Sequence, residues 1–238
     1  IVCHLICIIC STLNCTLSGR ICQLTPHNWQ ILLTFFIFLQ ILLAERQEMN
    51  MNNYISDKKT QRNEIRNRLQ QSTLTYCYSS DQHIFQSIIT LPEYQNASMI
   101  FCYISVKKEV DTRRLLKQAW ADGKRTAVPR CIDKGIMEPY EITSFNDLIP
   151  GLYNIPEPAK HCPLVNLADI DFAIVPCLSC DRKRRRLGHG GGYYDRTLAK
   201  LTAPSAALCR EQLLLDEVSC EEHDQSVSIL ITENTIYR

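Results

Sequence analysis

The chain of 238 residues carries almost no charge imbalance: 26 Lys and Arg against 25 Asp and Glu, a net +1. That excludes a global field for nucleic acid or an acidic membrane, so any electrostatic function has to be local. A long apolar run is also lacking. The stretch Ile31 to Ala44 is 14 residues, short of the roughly 20 that a spanning helix needs, although Trp29 and Gln30 extend it. The segment fits a signal peptide poorly, and a mitochondrial transit peptide would hold more arginine. No internal repeat or low-complexity linker follows residue 50. Both common nucleotide fingerprints are missing: the glycines fit neither G-x-G-x-x-G nor the P-loop, which needs Gly-Lys followed by Ser or Thr.

Cysteine is not scarce, at 13 residues, but a disulfide framework is. Cys3, Cys7, Cys10, Cys15 and Cys22 crowd the start, and the rest are scattered. Cys102 sits in an apolar strand-like run, as a small buried hydrophobe does. A reducing compartment is the expectation. Cys177-Leu178-Ser179-Cys180 and Cys7-Ile8-Ile9-Cys10 are C-x-x-C pairs, but no second pair at zinc-ribbon spacing supports either. Asn14-Cys15-Thr16 and Asn96-Ala97-Ser98 fit the glycosylation pattern, which means little in a cytosolic protein.

The composition, 45% hydrophobic and 21% charged, is that of a soluble globular protein long enough for one good core. Residues 1–50 stand apart as an apolar, Cys-rich extension. The chain starts at Ile1, and Met49 and Met51 precede the ordinary globular pattern. Residues 1–50 are therefore expected to be upstream sequence read in frame and not part of the native fold, with a membrane anchor on residues 29–44 as the alternative. Residues 51–238 are expected to form a single domain.

From Met51 onward helix and strand alternate. Ser56 to Gln71 reads as a polar, basic helix with Ser56 as N-cap. Ser79 to Leu91 has Ile84, Phe85, Ile88 and Leu91 at helical spacing and stops at Pro92. Ser98 to Ser105 reads as a strand, Thr112 to Ala121 as a helix stopped at Gly123, Arg125 to Val128 as a strand closed by Pro129, and Met137 to Ile142 as a weak strand. Asn146 to His161 holds Pro150, Pro156 and Pro158 and reads as an extended loop. Asp171 to Val175 is a strand, Gly192 to Leu201 a helix and Ser228 to Thr232 a strand. This alternation predicts an α/β fold: three layers, α/β/α, around a mixed, mostly parallel sheet.

The most informative stretch runs from Arg186 through Leu187, Gly188, His189, Gly190, Gly191, Gly192, Tyr193, Tyr194 and Asp195 to Arg196. Four glycines in five residues let a ligand approach the main chain closely. Successive amide N–H groups there can converge on an anion, and the following helix start adds donors and a positive dipole end. Arg182, Lys183, Arg184, Arg185 and Arg186 supply cations, and Asp195 a carboxylate suited to a metal. The residues alone point to an anion-binding loop, with a polyphosphate and magnesium as the expected occupants. A basic run of this kind also suits nuclear localisation or RNA, but the adjoining glycines favour nucleotide phosphates.

This stretch closely resembles the signature of the 5-formyltetrahydrofolate cyclo-ligase (5,10-methenyltetrahydrofolate synthetase) family. Further matches fall in the family's order and approximate spacing: Glu109-Val110-Asp111-Thr112, Val128-Pro129-Arg130, Asn154-Ile155-Pro156-Glu157-Pro158, Asp169-Ile170-Asp171, Glu222-His223-Asp224 and Thr232-Glu233. The likeness covers about residues 54–236, and residues 1–50 have no counterpart. It implies ATP- and Mg²⁺-dependent conversion of 5-formyltetrahydrofolate to 5,10-methenyltetrahydrofolate, with release of ADP and phosphate. ATP would activate the formyl oxygen as a phosphorylated imidate-like intermediate. The ten-position nitrogen would then close the ring.

The resemblance also implies roles. Arg186, Gly188, His189, Gly190, Gly191, Gly192, Tyr193 and Tyr194 would contact ATP, with Lys58 and Arg62 reaching it from one face of the N-terminal helix. Arg186 and Tyr193 would be catalytic. Ile104, Glu109 and the loop from His189 through Gly190, Gly191 and Gly192 to Tyr193 would border the folate; a carboxylate suits the N–H donors of a pterin. Asp195 and Asp224 would hold Mg²⁺, which prefers hard oxygen ligands. A cytoplasmic monomer without nucleic-acid or membrane partners is implied, mitochondrial location being the alternative. A non-catalytic nucleotide- or RNA-binding descendant is the competing function. The chain departs from the family's pattern at Arg184 and Arg185, where a small turn-former usually stands, and at Cys177, Ser179 and Cys180. These departures raise the question whether the entrance to the loop keeps its shape.

Overall fold

A computed structural model describes residues 57–152 and 155–238 of the chain. The expectations for residues 1–50 and for Ser56 as a cap lie outside the described residues. The elements of the compact unit Tyr54–Arg238 are, in chain order, helix α1 (57–71), α2 (Leu74–Ile89), α3 (Pro92–Asn96), β1 (Met99–Cys102), α4 (Arg113–Ala121), β2 (Arg125–Asp133), β3 (Ile136–Ile142), β4 (Leu148–Pro150), β5 (Pro156–Pro158), β6 (Phe172–Val175), β7 (Ser179–Cys180), β8 (Arg186–Leu187), α5 (Tyr193–Leu198), β9 (Ser205–Leu208), β10 (Ile229–Ile231) and β11 (Ile236–Tyr237).

Seven strands form one sheet in the order β11-β10-β9-β6-β1-β2-β3. The inner pairs β1–β2, β1–β6, β6–β9 and β9–β10 are parallel. Only the outer pairs β2–β3 and β10–β11 are antiparallel. The sheet is mixed and mostly parallel, as the alternation implied. Strands β1, β6, β9 and β10 are buried along their whole length, as strands covered on both faces must be.

The period of two along those strands separates the faces. Ile100, Cys102, Phe172, Ile174, Ala206, Leu208, Ile229 and Ile231 point to one side, where they meet Ile84, Phe85 and Ile88 of α2 and Leu115, Leu116 and Ala119 of α4. Met99, Phe101 and Ala173 point to the other side. Val175, Ala207 and Leu230 also face away from α2, and meet Ile65 of α1. Tyr194 touches all three groups of core residues. Helices on both faces make the three layers.

Several boundaries differ from expectation for local reasons. Helix α2 begins at Leu74, five residues early, because Thr73 caps it by accepting from the Tyr76 amide. Pro92 does more than end α2: it opens α3 from a first-turn position, where its missing N–H costs nothing. Strand β2 runs through Pro129 to Asp133. Pro129 lies beyond Ala127, the last residue that β1 pairs with, and sits opposite Pro139 of β3, so the proline falls where β2 has only one neighbour. The segment 146–161 is not a plain loop, because β4 and β5 pair as a small antiparallel ribbon within it. Helix α5 ends at Leu198, three residues short of expectation.

Candidate active site

The glycine loop joins the hairpin β7–β8 to α5. Its entrance is the turn after β7, and there Asp181 decides the shape. Asp181 is fully buried, and its Oδ1 accepts from the amides of Lys183 (2.9 Å) and Arg185 (3.1 Å). Its Oδ2 accepts from Arg185 Nε (2.6 Å) and from the Val218 amide (2.9 Å). Arg184 turns the corner with φ 65°, in the left-handed region, and donates to the Ser228 carbonyl at 3.1 Å. The two unusual arginines are therefore built into the turn. Arg184 takes a conformation that glycine takes freely, and Arg185 spends its charge on Asp181 and Glu217. A non-glycine residue in that region costs on the order of 1 kcal/mol, and an exposed hydrogen bond offsets part of it. Arg184→Gly is expected to raise the unfolding free energy by about 0.5 kcal/mol; a clear drop in the melting temperature would show that the Ser228 contact matters more.

Beyond the turn, Arg186 is 8% exposed. One terminal nitrogen donates to the Pro176 carbonyl (3.2 Å) and the other to Asp195 Oδ1 (2.7 Å). Its Nε–H is buried and has no acceptor among the described residues. An orphan buried donor is rare, and a phosphate oxygen is the kind of group that would satisfy it. Gly188 follows, where an added Cβ would lie 3.1 Å from the Arg186 guanidinium. Gly192 is the N-cap of α5 at φ 68°. Gly190, at φ 101°, has a conformation that a side chain would strain.

Two cations reach this loop from α1, more than a hundred residues earlier in the chain. Arg62 Nε donates to the Gly188 carbonyl at 2.9 Å, and the same guanidinium flanks Gly190. Lys58 is 8% exposed and pairs with Asp224 Oδ2 at 2.6 Å and with Glu221 at 3.3 Å. Burial would raise the Asp224 carboxyl, but the Lys58 hydrogen bond, the Glu221 amide and the Lys58 charge outweigh it and hold it below the usual range.

Asp195 and Asp224 come to one edge of the loop: the amide of Gln225, next to Asp224, approaches Asp195 Oδ1 at 3.4 Å. Asp195 Oδ2 and Asp224 Oδ1 take no hydrogen bond from the described residues. No group of three or more His, Cys, Asp or Glu able to hold a metal occurs among the described residues. Two carboxylates beside a glycine loop nonetheless suit Mg²⁺, which takes one or two carboxylates and keeps its remaining positions for waters and phosphate oxygens.

The other side of the loop faces Glu109. His189 Nε2 lies 3.5 Å from Glu109 Oε1, and Glu109 Oε2 accepts from the Val106 amide at 2.9 Å. Ile104, two residues past β1, is 3% exposed and packs into the core beneath this segment. Tyr193 meets the Cys131 thiol, which also touches the Glu157 carboxylate; burial and the Glu157 charge push that thiol up to about 11. Tyr194 is half-buried under the Arg186 guanidinium, 5.7 Å from its ring centre. Burial first, then the Glu109 carboxylate, pushes its phenol well above the usual range.

Three residues here were given no role by the sequence reading. Glu157 is buried, and its carboxylate fills the space a Cβ on Gly151 would take. Arg210 is 2% exposed and holds Lys108 O at 2.7 Å, Glu109 O at 3.3 Å, Ser80 Oγ at 2.9 Å and Asp81 at 2.6 Å. Lys108 Nζ donates to the carbonyls of Leu69, Gln70 and Ser72, capping the C-terminal end of α1. Only the buried acid in a proline-flanked motif left a trace in the sequence. The other two bridge segments far apart in the chain.

The sequence profile of the 5-formyltetrahydrofolate cyclo-ligase family matches residues 54–233. The chain belongs to this family. A Schizosaccharomyces pombe relative named "Probable 5-formyltetrahydrofolate cyclo-ligase" is 31% identical over 172 residues, which is 65% of this chain and 84% of the relative. The 5-formyltetrahydrofolate cyclo-ligase of Mus musculus is 25% identical over 193 residues, 76% of this chain and 95% of its own. The solved structure of Aquifex aeolicus 5,10-methenyltetrahydrofolate synthetase superposes with a TM-score of 0.68 at 25% identity, over 76% of this chain and 92% of its own. The three-layer cyclo-ligase fold thus agrees in profile, relatives and structure. Among the described residues no helix is long and apolar enough to cross a membrane.

Proposed function

We propose that the chain catalyses the ATP- and Mg²⁺-dependent closure of 5-formyltetrahydrofolate to 5,10-methenyltetrahydrofolate, releasing ADP and phosphate. One observation carries this reading. A single glycine loop has the buried cations Arg186 and Lys58 and the carboxylates Asp195 and Asp224 on one side, and Glu109 on the other. Phosphoryl transfer needs a neutralised, in-line phosphate and an acceptor held beside it, with little covalent work for the protein.

In this reading Arg186 and Lys58 neutralise the phosphates, and the loop amides from Gly188 to Gly192 cradle them. Arg62 fixes the loop from α1 through the Gly188 carbonyl. Glu109 accepts hydrogen bonds from the pterin and, with His189 and Tyr193, positions the formyl oxygen. That oxygen attacks the γ-phosphorus and ADP leaves. The ten-position nitrogen then attacks the activated carbon and gives up its proton, the carbon–oxygen bond breaks, and phosphate departs carrying that proton. Asp195 and Asp224 would hold Mg²⁺, which supplies charge neutralisation for the β- and γ-phosphates. A monomer acting in the cytoplasm, without nucleic-acid or membrane partners, completes the proposal.

Incubating the purified chain with 5-formyltetrahydrofolate, ATP and Mg²⁺ and following methenyl absorbance tests it. ATP binding without product would replace the enzyme by a nucleotide-binding descendant. Asp195→Asn is expected to lower turnover at limiting Mg²⁺ by about tenfold, the loss of one charged oxygen contact being worth about 1.5 kcal/mol. Unchanged turnover there would remove Asp195 from the metal.

A further inference from the structure

Cys177, Cys180 and Cys209 form a cluster that the reaction does not use. Strands β6 and β9 run parallel, with Val175 beside Ala207. Continuing that register by two residues puts Cys177 beside Cys209. The Cys209 amide still bonds to Ile231, so the ladder on its other side reaches this position. Neighbouring strands lie about 4.8 Å apart, within the roughly 4.4–6.8 Å between Cα atoms that a disulfide spans. The Cys177 thiol lies near those of Cys180 and Cys209 and donates to the Leu208 carbonyl at 3.3 Å. Cys177 is half-buried, and the other two are buried.

The cluster lies against the nucleotide side of the loop. Pro176, immediately before Cys177, supplies the carbonyl that seats Arg186. Cys180 sits directly opposite Arg186 in the β7–β8 hairpin. The S–H donors of Cys180 and Cys209, aided by the Arg186 charge, hold the Cys177 thiol well below its ordinary range. That favours the thiolate, which is the nucleophilic form.

We infer that Cys177 and Cys209 are an oxidant-sensitive modification site, which a hydroperoxide converts to a reversible disulfide that disturbs the seat of Arg186. The Cys177 thiolate attacks the peroxide; an S–O bond forms, the O–O bond breaks, and the leaving oxygen picks up a proton as water or alcohol. Cys209 sulfur then attacks Cys177 sulfur. The S–S bond forms, the S–O bond breaks, and hydroxide leaves as water with the Cys209 proton. Two thiols lose two electrons and the hydroperoxide gains them. The bond draws the sulfurs to about 2.0 Å, removes the donor to Leu208, and pulls on the Pro176 carbonyl.

Hydrogen peroxide added to the full chain, followed by non-reducing peptide mapping, tests the pairing. The expected result is a Cys177–Cys209 linked peptide, at least a fivefold fall in turnover, and recovery of both with dithiothreitol. Cys177→Ala should form no such bridge and inactivate at least five times more slowly. In Cys209→Ala, dimedone should trap a sulfenic acid at Cys177, which keeps the test open if the first variant does not fold. Cys177 left as a thiol while other cysteines oxidise, a bridge without loss of turnover, or a Cys177→Ala variant as sensitive as the parent would each overturn the inference. The turnover arm rests on the cyclo-ligase reading and the mapping arm does not, so a chain that bridges but never makes methenyl product fails the former alone.

Discussion

Replacing Arg186 by methionine is expected to cut turnover by about 10²–10³-fold, the range seen when a preorganised donor to developing charge is removed. The chain holds this guanidinium in place before any ligand arrives: the Pro176 carbonyl takes one nitrogen and Asp195 the other. What is left is an Nε–H buried without a partner, a donor that has already lost its hydration. Methionine keeps most of the volume and removes both bonds together with the unpartnered donor. Asp195 is one-fifth exposed, so its released carboxylate can recover water, and folding should survive the change. Arg186→Lys preserves the charge but offers a point donor in place of a fork, so it should recover only part of the rate. Initial rates of methenyl formation, with melting curves as a control, check both variants; turnover within threefold of the parent in Arg186→Met would remove Arg186 from the chemistry.

The second large effect concerns stability. Arg210→Met should lower the unfolding free energy by about 3–5 kcal/mol, the cost of breaking a buried pair and leaving its partner charged. Arg210, two residues past β9, ties Asp81 and Ser80 of α2 to the carbonyls of Lys108 and Glu109. Burial pushes the Asp81 carboxyl above its usual range, and the Arg210 charge and hydrogen bond pull it back. Without Arg210, burial is opposed only by the Asp111 amide hydrogen bond, which the Asp111 charge in turn counters. The sign follows: a carboxyl whose native value is raised favours folding as pH falls. The deficit of Arg210→Met relative to the parent should therefore shrink at acid pH, as Asp81 takes up a proton. Urea titrations at neutral and at acid pH measure both; a loss below 1 kcal/mol, or one that does not shrink, would contradict the assignment.

The fold was readable where periodicity and punctuation spoke together. Gly123 stops α4, and β1, β6 and β10 follow from apolar runs between turn residues. Strand β9 was missed because Ser205-Ala206-Ala207-Leu208 has no β-branched residue. It is a central strand closed in by β6 and β10, and burial, not intrinsic preference, makes it a strand. The glycine loop was legible because glycine loops and basic clusters are local signals. Lys58 and Arg62 read alone as a solvated charged face, and only the family likeness singled them out. Arg210 and Lys108 left no sign, since each acts across distant segments, on partners that no sequence window contains.

The salt bridge from Lys58 to Asp224 joins residues 166 positions apart. Gln61 adds bonds to Glu217 and Ser219 on the same far segment. The edge of the glycine loop is thus closed by the first described helix and nearly the last loop of the chain. Such contacts carry a high loop-closure cost and form late. On the ribosome, α1 would wait for almost the entire domain to be made before its charged face found a partner. A chain cut short before Asp224 would keep the glycine loop yet lack the nearer of the two carboxylates that pair with Lys58.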